Sequence, residues 1–232
     1  MKVELSNRLQ AVADMVTPGM RLADIGTDHG YIPIYLVSND IVPFALAMDV
    51  NKGPLERAEE HIKECSLESK IQTRLSDGLK KLEPGEVDAI ITAGMGGALV
   101  IKILSDKPAV TDSLKELILQ PQSEISKVRE WLCQMGYRIV EEKMILEDEK
   151  YYPMMKAVKG DVETYSEIEL EFGKRLLEEA NPVLEQFLER EVAIQERLFK
   201  SLQEKQTERT KERMEQVAAR ISLVKEVIEQ YF

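Results

Sequence analysis

The stretch 22–31 constrains the fold more than any other part of the chain. It holds a short apolar run that ends at Asp24, a turn that contains Gly26 and Gly30, and a predicted helix that begins at Tyr31. Strand, glycine turn and helix in this order are typical of α/β proteins that bind nucleotide-like ligands where their strands end. Gly26 has no Cβ, so a ligand can approach its backbone closely. Because the carboxylate of Asp24 repels phosphate, the turn favours a cationic or polyhydroxyl ligand.

Apolar runs alternate with helical patterns up to about residue 136. The predicted strands are 21–25, 44–48, 71–75, 87–92 and 116–120, and the predicted helices are 4–16, 31–37, 53–66, 98–104 and 123–135. Two further predicted strands, 137–146 and 151–158, follow each other directly and predict a hairpin. The pattern predicts an α/β fold, a Rossmann-like, doubly wound, mostly parallel sheet with an antiparallel edge.

Other strand ends also carry acids or glycines. Asp49 lies 23 residues after Gly26, and an acid about 20 residues past the glycine turn binds ribose hydroxyls in dinucleotide folds. The third strand is followed by Asp77 and Gly78, and the fourth runs into the glycine-rich stretch 93–97. The carboxyl ends of parallel strands meet at one edge of a sheet, so these residues predict one ligand site.

The composition changes after residue 160. Residues 161–232 contain 11 Lys plus Arg and 17 Asp plus Glu, with one glycine and one proline. Two apolar stripes at helical spacing occur in this part, Val183, Phe187, Ile194, Leu198 and Leu202, then Met214, Val217, Ile221, Val224 and Ile228. The stripes predict an antiparallel helical coiled-coil domain over 161–232 behind a ligand-binding domain over 1–160, and one long helix that dimerises is the alternative.

Charge and cysteine usage exclude several classes of protein. The net charge of −11 argues against a general nucleic-acid binder, which usually has a basic face. No apolar run is long enough for a membrane span and no signal peptide is expected, so we predict a cytoplasmic protein. Cys65 and Cys133 lie far apart in helical patterns and predict neither a disulfide nor a metal site.

The motif Asp-x-Gly-x-Asp-x-Gly is similar to the first motif of class I methyltransferases, with Asp28 in place of the middle glycine. Together with Asp-Gly-Leu at 77–79, Ala-Gly-Met-Gly-Gly-Ala-Leu at 93–99, Leu-Ile-Leu-Gln-Pro at 117–121 and Arg-Glu-Trp-Leu at 129–132, the chain resembles the bacterial tRNA (adenine-22, N1)-methyltransferases. The resemblance implies S-adenosylmethionine as the methyl donor, an adenine of tRNA as the acceptor, and no metal.

The same resemblance implies roles for residues of the strand ends. The expected cofactor contacts are Asp24, Gly26, Thr27, Asp28 and Gly30 for the methionine part, Asp49 and Val50 for the ribose, Asp77 and Gly78 for the adenine, and Ala93 and Gly94 near the methyl group. Met95 would face the target base beside Gly94. Thr27 could equally be only a helix cap, and the less favoured alternatives are a helix N-cap for Asp77 and a surface acid for Asp49.

Proton transfer and RNA binding would require further residues. Asp28 or His29 would accept a proton from the product, and Tyr31 could stack or donate a hydrogen bond in the site. Arg8 and Tyr151 are the candidate RNA contacts, and we expect His61 to face solvent. The tail is a candidate tRNA clamp through its basic side chains, Lys205, Arg209, Lys211 and Arg213.

Other functions stay open at this point. A small-molecule methyltransferase would use the helices as a lid, and a non-catalytic cofactor-binding scaffold would act through its coiled coil. We expect a monomer, with dimerisation through the C-terminal helices as the alternative.

Overall fold

A computed structural model describes residues 3–161, 163–204 and 208–232. The chain divides into two compact units, Met1–Tyr165 and Ser166–Phe232. The first unit holds the sheet, and the second holds helices. Each unit is described by itself below.

The described residues of the first unit form a seven-stranded sheet in the order β3-β2-β1-β4-β5-β7-β6. The strands are β1 Leu22–Ile25, β2 Ala45–Asp49, β3 Ile71–Leu75, β4 Ala89–Met95, β5 Glu116–Pro121, β6 Tyr137–Glu147 and β7 Lys150–Lys159. Strands β1 to β5 pair in parallel, and β7 is antiparallel to both β5 and β6. The predicted doubly wound sheet with an antiparallel edge is confirmed.

Six described helices belong to this unit. They are α1 Asn7–Ala13, α2 Tyr31–Ser38, α3 Lys52–Glu64, α4 Gly97–Asp106, α5 Pro108–Thr111 and α6 Ile125–Gln134. The first helix starts later than predicted because the Ser6 hydroxyl, which accepts from the N–H of Leu9, caps its start, and it ends at Ala13. Strand β4 runs further than predicted, to Met95, with an irregularity between Ala93 and Met95.

Apolar side chains cover both faces of the sheet. Alternation along β1 sends Ala23 and Ile25 into one core cluster and Leu22 into the other. A buried ion pair joins α6 to β6, where Nε of Arg129 lies 2.7 Å from Oε1 of Glu142. With both faces covered by helices, the strand ends are left to form a ligand site.

The second unit contains α7 Glu167–Phe172, α8 Lys174–Glu178, α9 Pro182–Gln203 and α10 Glu208–Tyr231. The two long helices pack together and bury the apolar side chains Leu184, Leu188, Val217, Val224 and Val227. Arg220 of α10 pairs with Glu191 of α9 at 2.5 Å. The apolar stripe predicted for α9 is partly wrong. Ile194 is 50% exposed, because the buried face of α9 runs through Leu184 and Leu188. A coiled coil stays a prediction.

Three absences hold for the described residues. No described helix has the length and apolarity that a membrane crossing needs. No cluster of His, Cys, Asp and Glu among them could hold a metal ion. Cys65 and Cys133 form no disulfide.

Candidate methyl-donor site

A cleft of about 200 Å³ lies where β1 and β4 end. Its lining residues are Arg8, Leu9, Asp24, Gly26, Asp28, His29, Tyr31, Ile32 and Ala93. In the sheet order, β1 lies between β2 and β4, which is where the connections change direction and where ligands bind in open α/β sheets. Larger grooves of about 500 and 390 Å³ lie along α9 and α10, but of these three it is the cleft that gathers buried polar groups at strand ends.

Asp24 and Thr27 place buried polar groups at the end of β1. Asp24 is 6% exposed, and burial raises its pKa to about 6, with a further contribution from the nearby charge of Asp49. The Thr27 hydroxyl lies close enough to limit the rise in pKa, yet among the described residues its Oγ1 makes no hydrogen bond of good geometry. Such a pair suits a ligand that brings its own hydrogen-bond donors, because unsatisfied buried polar atoms are unfavourable.

Backbone hydrogen bonds hold the turn to the neighbouring strand. The N–H groups of Gly26 and Thr27 both donate to the carbonyl oxygen of Met48, at 2.8 and 2.9 Å. Gly26 has a φ of 79°, and a Cβ there would lie 2.0 Å from the methyl carbon of Met95. The left-handed backbone therefore favours glycine at this position, and a Cβ there would force the flexible end of the Met95 side chain to move.

Asp28 and His29 lie together at the rim of the cleft. The Asp28 carboxylate accepts a hydrogen bond of 2.9 Å from Nη2 of Arg57 and lies 3.4 Å from Nε2 of His29. The Asp28 side chain is exposed, whereas Nδ1 of His29 is buried without a hydrogen-bond partner among the described residues. The ring nitrogen of His29 that is available to exchange a proton is therefore Nε2.

Three aromatic rings stack beside this turn. The centre of the His61 ring, on α3, lies 5.5 Å from the centre of the His29 ring and 5.3 Å from that of the Tyr31 ring. The centres of the His29 and Tyr31 rings are 5.2 Å apart. Nδ1 of His61 is 2.9 Å from the carbonyl oxygen of His29. The prediction that His61 faces solvent is partly wrong, because the residue is half-buried and its ring packs against the rings of His29 and Tyr31.

The expected ribose and adenine contacts lie outside the lining of the cleft. Asp49 ends β2, and its Oδ1 accepts the N–H of Asn51 at 2.7 Å. The neighbouring Val50 side chain is 59% exposed. Asp77 is exposed and pairs with Lys80, which lowers the pKa of Asp77, and Gly78 follows it with a φ of 55°. Val50 and Asp77 are exposed and Asp49 is half-buried, at the ends of neighbouring strands, where a ligand longer than the cleft could reach them.

Arg8 and Gln120 connect the N-terminal helix to the end of β4. Oε1 of the buried Gln120 accepts from Nη1 of Arg8 at 2.9 Å and from the N–H of Gly94 at 3.1 Å. The guanidinium carbon of Arg8 lies 5.4 Å from the ring centre of Tyr152, and its backbone N–H donates to Glu147. These contacts fix a cation in the lining of the cleft.

Some candidate contacts are not brought to the cleft. Tyr151 lies on β7 next to Tyr152 and is absent from the cleft lining. Lys205 and the side chain of Arg209 lie outside the described residues, while Lys211 and Arg213 are exposed on α10. Sequence reasoning missed Gln120, Arg57 and the ring contact of His61. Of the three, Gln120 had a signal in the sequence, because it is a polar residue at the end of an otherwise apolar strand.

Comparison with known proteins identifies the domain that carries the cleft. Residues 5–155 match the family model described as a methyltransferase domain. A sheet of this order, a glycine turn after β1 and acids at the ends of the neighbouring strands define a class I methyltransferase domain, and the chain contains one.

Relatives narrow the class further. The tRNA (adenine(22)-N(1))-methyltransferase of Bacillus subtilis is 36% identical over 98% of this chain and 98% of its own length. The chain belongs to this family of tRNA (adenine(22)-N(1))-methyltransferases.

Solved structures of similar sequence show the same fold. The B. subtilis M1A22 tRNA methyltransferase TrmK has a TM-score of 0.83 at 34% identity and covers 98% of this chain and 100% of its own. M. capricolum TrmK, solved with S-adenosyl-homocysteine, has a TM-score of 0.85 at 28% identity over 98% and 99%. A Streptococcus pneumoniae structure in complex with S-adenosyl-L-methionine has a TM-score of 0.87 at 32% identity over 97% and 100%.

Proposed function

We propose that this protein transfers a methyl group from S-adenosylmethionine to N1 of adenine 22 in tRNA. Membership of the family supports the reaction. The observation that carries it to this chain is the pair of buried polar groups at the end of β1: Asp24 lines the cleft together with Arg8, and Oγ1 of the nearby Thr27 has no hydrogen-bond partner among the described residues. The first unit would carry the chemistry, and the second would contact RNA.

The residues present fit S-adenosylmethionine. When bound, the cofactor supplies an electrophilic methyl group on a positively charged sulfur. The carboxylate of Asp24 would accept from the ammonium of its amino acid part, and the Thr27 hydroxyl would take a second polar atom there. Asp49 would accept from the ribose hydroxyls beside Val50, and Asp77 would exchange its contact with Lys80 for the adenine amino group. The remaining backbone contacts would come from Gly26, Gly30, Gly78 and Ala93.

The chemistry needs alignment more than a strong base. N1 of adenine already carries the lone pair that forms the new nitrogen–carbon bond while the carbon–sulfur bond breaks. Gly94 and Met95, at the end of β4, would orient the base, so that most of the acceleration comes from position. Nε2 of His29 or the carboxylate of Asp28 would then accept the proton that the methylated adenine releases, and Tyr31 would shape that side of the cleft.

The RNA itself would be held by few cations. Arg8 would contact the RNA next to the target base, and Tyr151 would reach it from β7. With a net negative charge, the chain cannot bind phosphates over a broad surface, so we propose local contacts through Lys211 and Arg213. A target base inside folded tRNA must leave its stack to enter the cleft.

Methyl transfer from labelled cofactor tests the proposal directly. A tRNA transcript with adenine at position 22 should accept one methyl group, and the same transcript with guanine at that position should accept none. If the label is transferred to small amines or catechols and not to tRNA, the protein is a small-molecule methyltransferase. If the cofactor binds and no methyl group is transferred, the protein is a scaffold. We expect a cytoplasmic protein that is a monomer. Size-exclusion chromatography with light scattering checks the oligomeric state.

A further inference from the structure

His29 has a backbone conformation that side chains disfavour. Its φ is 62°, in the left-handed region, and it lies between Gly26 and Gly30, whose φ values are 79° and 70°. Glycine tolerates this region, whereas a residue with a Cβ persists there only when its surroundings hold it. The turn therefore needs an external contact at His29.

His61 supplies that contact from α3. Its Nδ1 lies 2.9 Å from the carbonyl oxygen of His29, and its ring packs against the rings of His29 and Tyr31. A carbonyl oxygen can only accept, so Nδ1 of His61 must carry the hydrogen when the imidazole is neutral. The tautomer of His61 is thus fixed by its partner.

The contact also sets how the ring of His29 is presented. With one face packed against His61 and Nδ1 buried, the His29 ring presents Nε2 beside Asp28 at the cleft. We propose that His61 is a positioning residue: it holds the left-handed backbone of His29 and orients its ring for proton exchange. His61 itself does not line the cleft. This inference rests on the proposed function.

The tautomer gives a test that needs no methyl transfer. The chain contains only two histidines, so a long-range nitrogen–proton NMR spectrum can be assigned with one variant. At pH 8.5, about two units above the ordinary pKa of imidazole, His61 should show a protonated Nδ1 and an unprotonated Nε2. A protonated Nε2 on His61 would overturn the proposal.

Two substitutions separate positioning from general packing. Nδ2 of asparagine can take the place of Nδ1 of histidine, whereas the amide of glutamine lies one carbon further out. His61→Gln should therefore lower kcat about 3- to 10-fold, the range for one net hydrogen bond, while His61→Asn keeps most of it. Glu60→Gln, an exposed change on the same helix, is the matched control.

A double-mutant cycle tests whether His61 acts through His29. If it does, His61→Gln should lower kcat by less in a His29→Ala background than in the unmodified chain, because the ring that it orients is gone and only the backbone contact is left. Equal kcat for His61→Gln and the unmodified chain, or full additivity with His29→Ala, would overturn the proposal. No methylation of tRNA by the unmodified chain would instead refute the proposed function, and the tautomer measurement would still decide the position of the proton.

Discussion

Replacing Asp24 by asparagine should stabilise the fold while it weakens cofactor binding. The side chain is buried, and its pKa is raised from 3.8 to about 6. A carboxyl group whose pKa is higher in the folded state is unfavourable to folding once it ionises, so its cost is absent at low pH and complete above the folded pKa. Asparagine has nearly the same shape without the charge.

The magnitude follows from the pKa shift. A difference of about two units corresponds to about 3 kcal/mol at pH 7, at about 1.4 kcal/mol for each unit. The gain in unfolding free energy for Asp24→Asn should therefore be at most about 3 kcal/mol at pH 7, about half of that at pH 5, and about 0.6 kcal/mol near pH 4. Burial of the new amide reduces the gain by a similar amount at every pH.

Urea unfolding at several pH values measures this difference. Glu68→Gln removes one charge from an exposed side chain of the same unit and is the matched control. Its effect should stay small at every pH. A stability difference for Asp24→Asn that does not grow between pH 4 and pH 7 would refute the assignment of the raised pKa.

Calorimetry on the same variant measures its affinity for S-adenosylmethionine and so tests the role of Asp24 in cofactor binding. Loss of a charge-assisted hydrogen bond should weaken S-adenosylmethionine binding by more than about tenfold, and Asp24→Ala should abolish it. In the unmodified chain, affinity should fall as pH drops below about 6, because the carboxylate becomes protonated. Unchanged affinity in either variant would remove Asp24 from the proposed cofactor site.

Other substitutions test other parts of the fold and the site. Arg8→Lys keeps the charge but loses the planar group that stacks on β7, so kcat/KM for tRNA should fall about tenfold while calorimetry shows unchanged cofactor affinity. Gly26→Ala should cost about 1 to 2 kcal/mol in urea unfolding from its left-handed backbone and should also displace Met95 and weaken cofactor binding. Gly85→Ala, with a φ of 75° and open space around it, should show the first effect alone. Arg129→Met removes the cationic partner of a buried carboxylate, so unfolding free energy should drop by about 3 to 5 kcal/mol, and replacing both partners by apolar residues should restore most of it.

The strands were predictable because apolar runs stand between glycines, prolines and acids. β3 is observed over the predicted residues 71–75, and the β6–β7 hairpin was predicted from two alternating runs with a charged turn between them. The short helix α5 was not predicted, because four residues contain too little periodicity to identify a helix. Ile194 was assigned to the wrong face, since a loose stripe of apolar residues fits more than one rotation of a helix.

The candidate site was predictable only where a residue lies next to a motif in the chain. Asp24 and Gly26 belong to the first strand and its turn, so their placement at the cleft follows from the fold. Gln120 and His61 act through contacts with residues 26 and 32 positions away. Periodicity indicates which face of a helix is buried, but it does not indicate which distant backbone atom a side chain reaches.

The shared acceptor at Gln120 has a consequence for how two ligands communicate. One oxygen atom receives both the guanidinium of Arg8 and the amide of Gly94. A ligand that displaces Arg8 must either draw the end of β4 with it or leave a buried acceptor poorly satisfied, and both outcomes carry a free-energy cost. Thermodynamic reciprocity then requires that whatever fixes Gly94 also changes the affinity of Arg8 for its ligand. Arg8 and the end of β4 would thus be coupled through a single atom, Oε1 of Gln120.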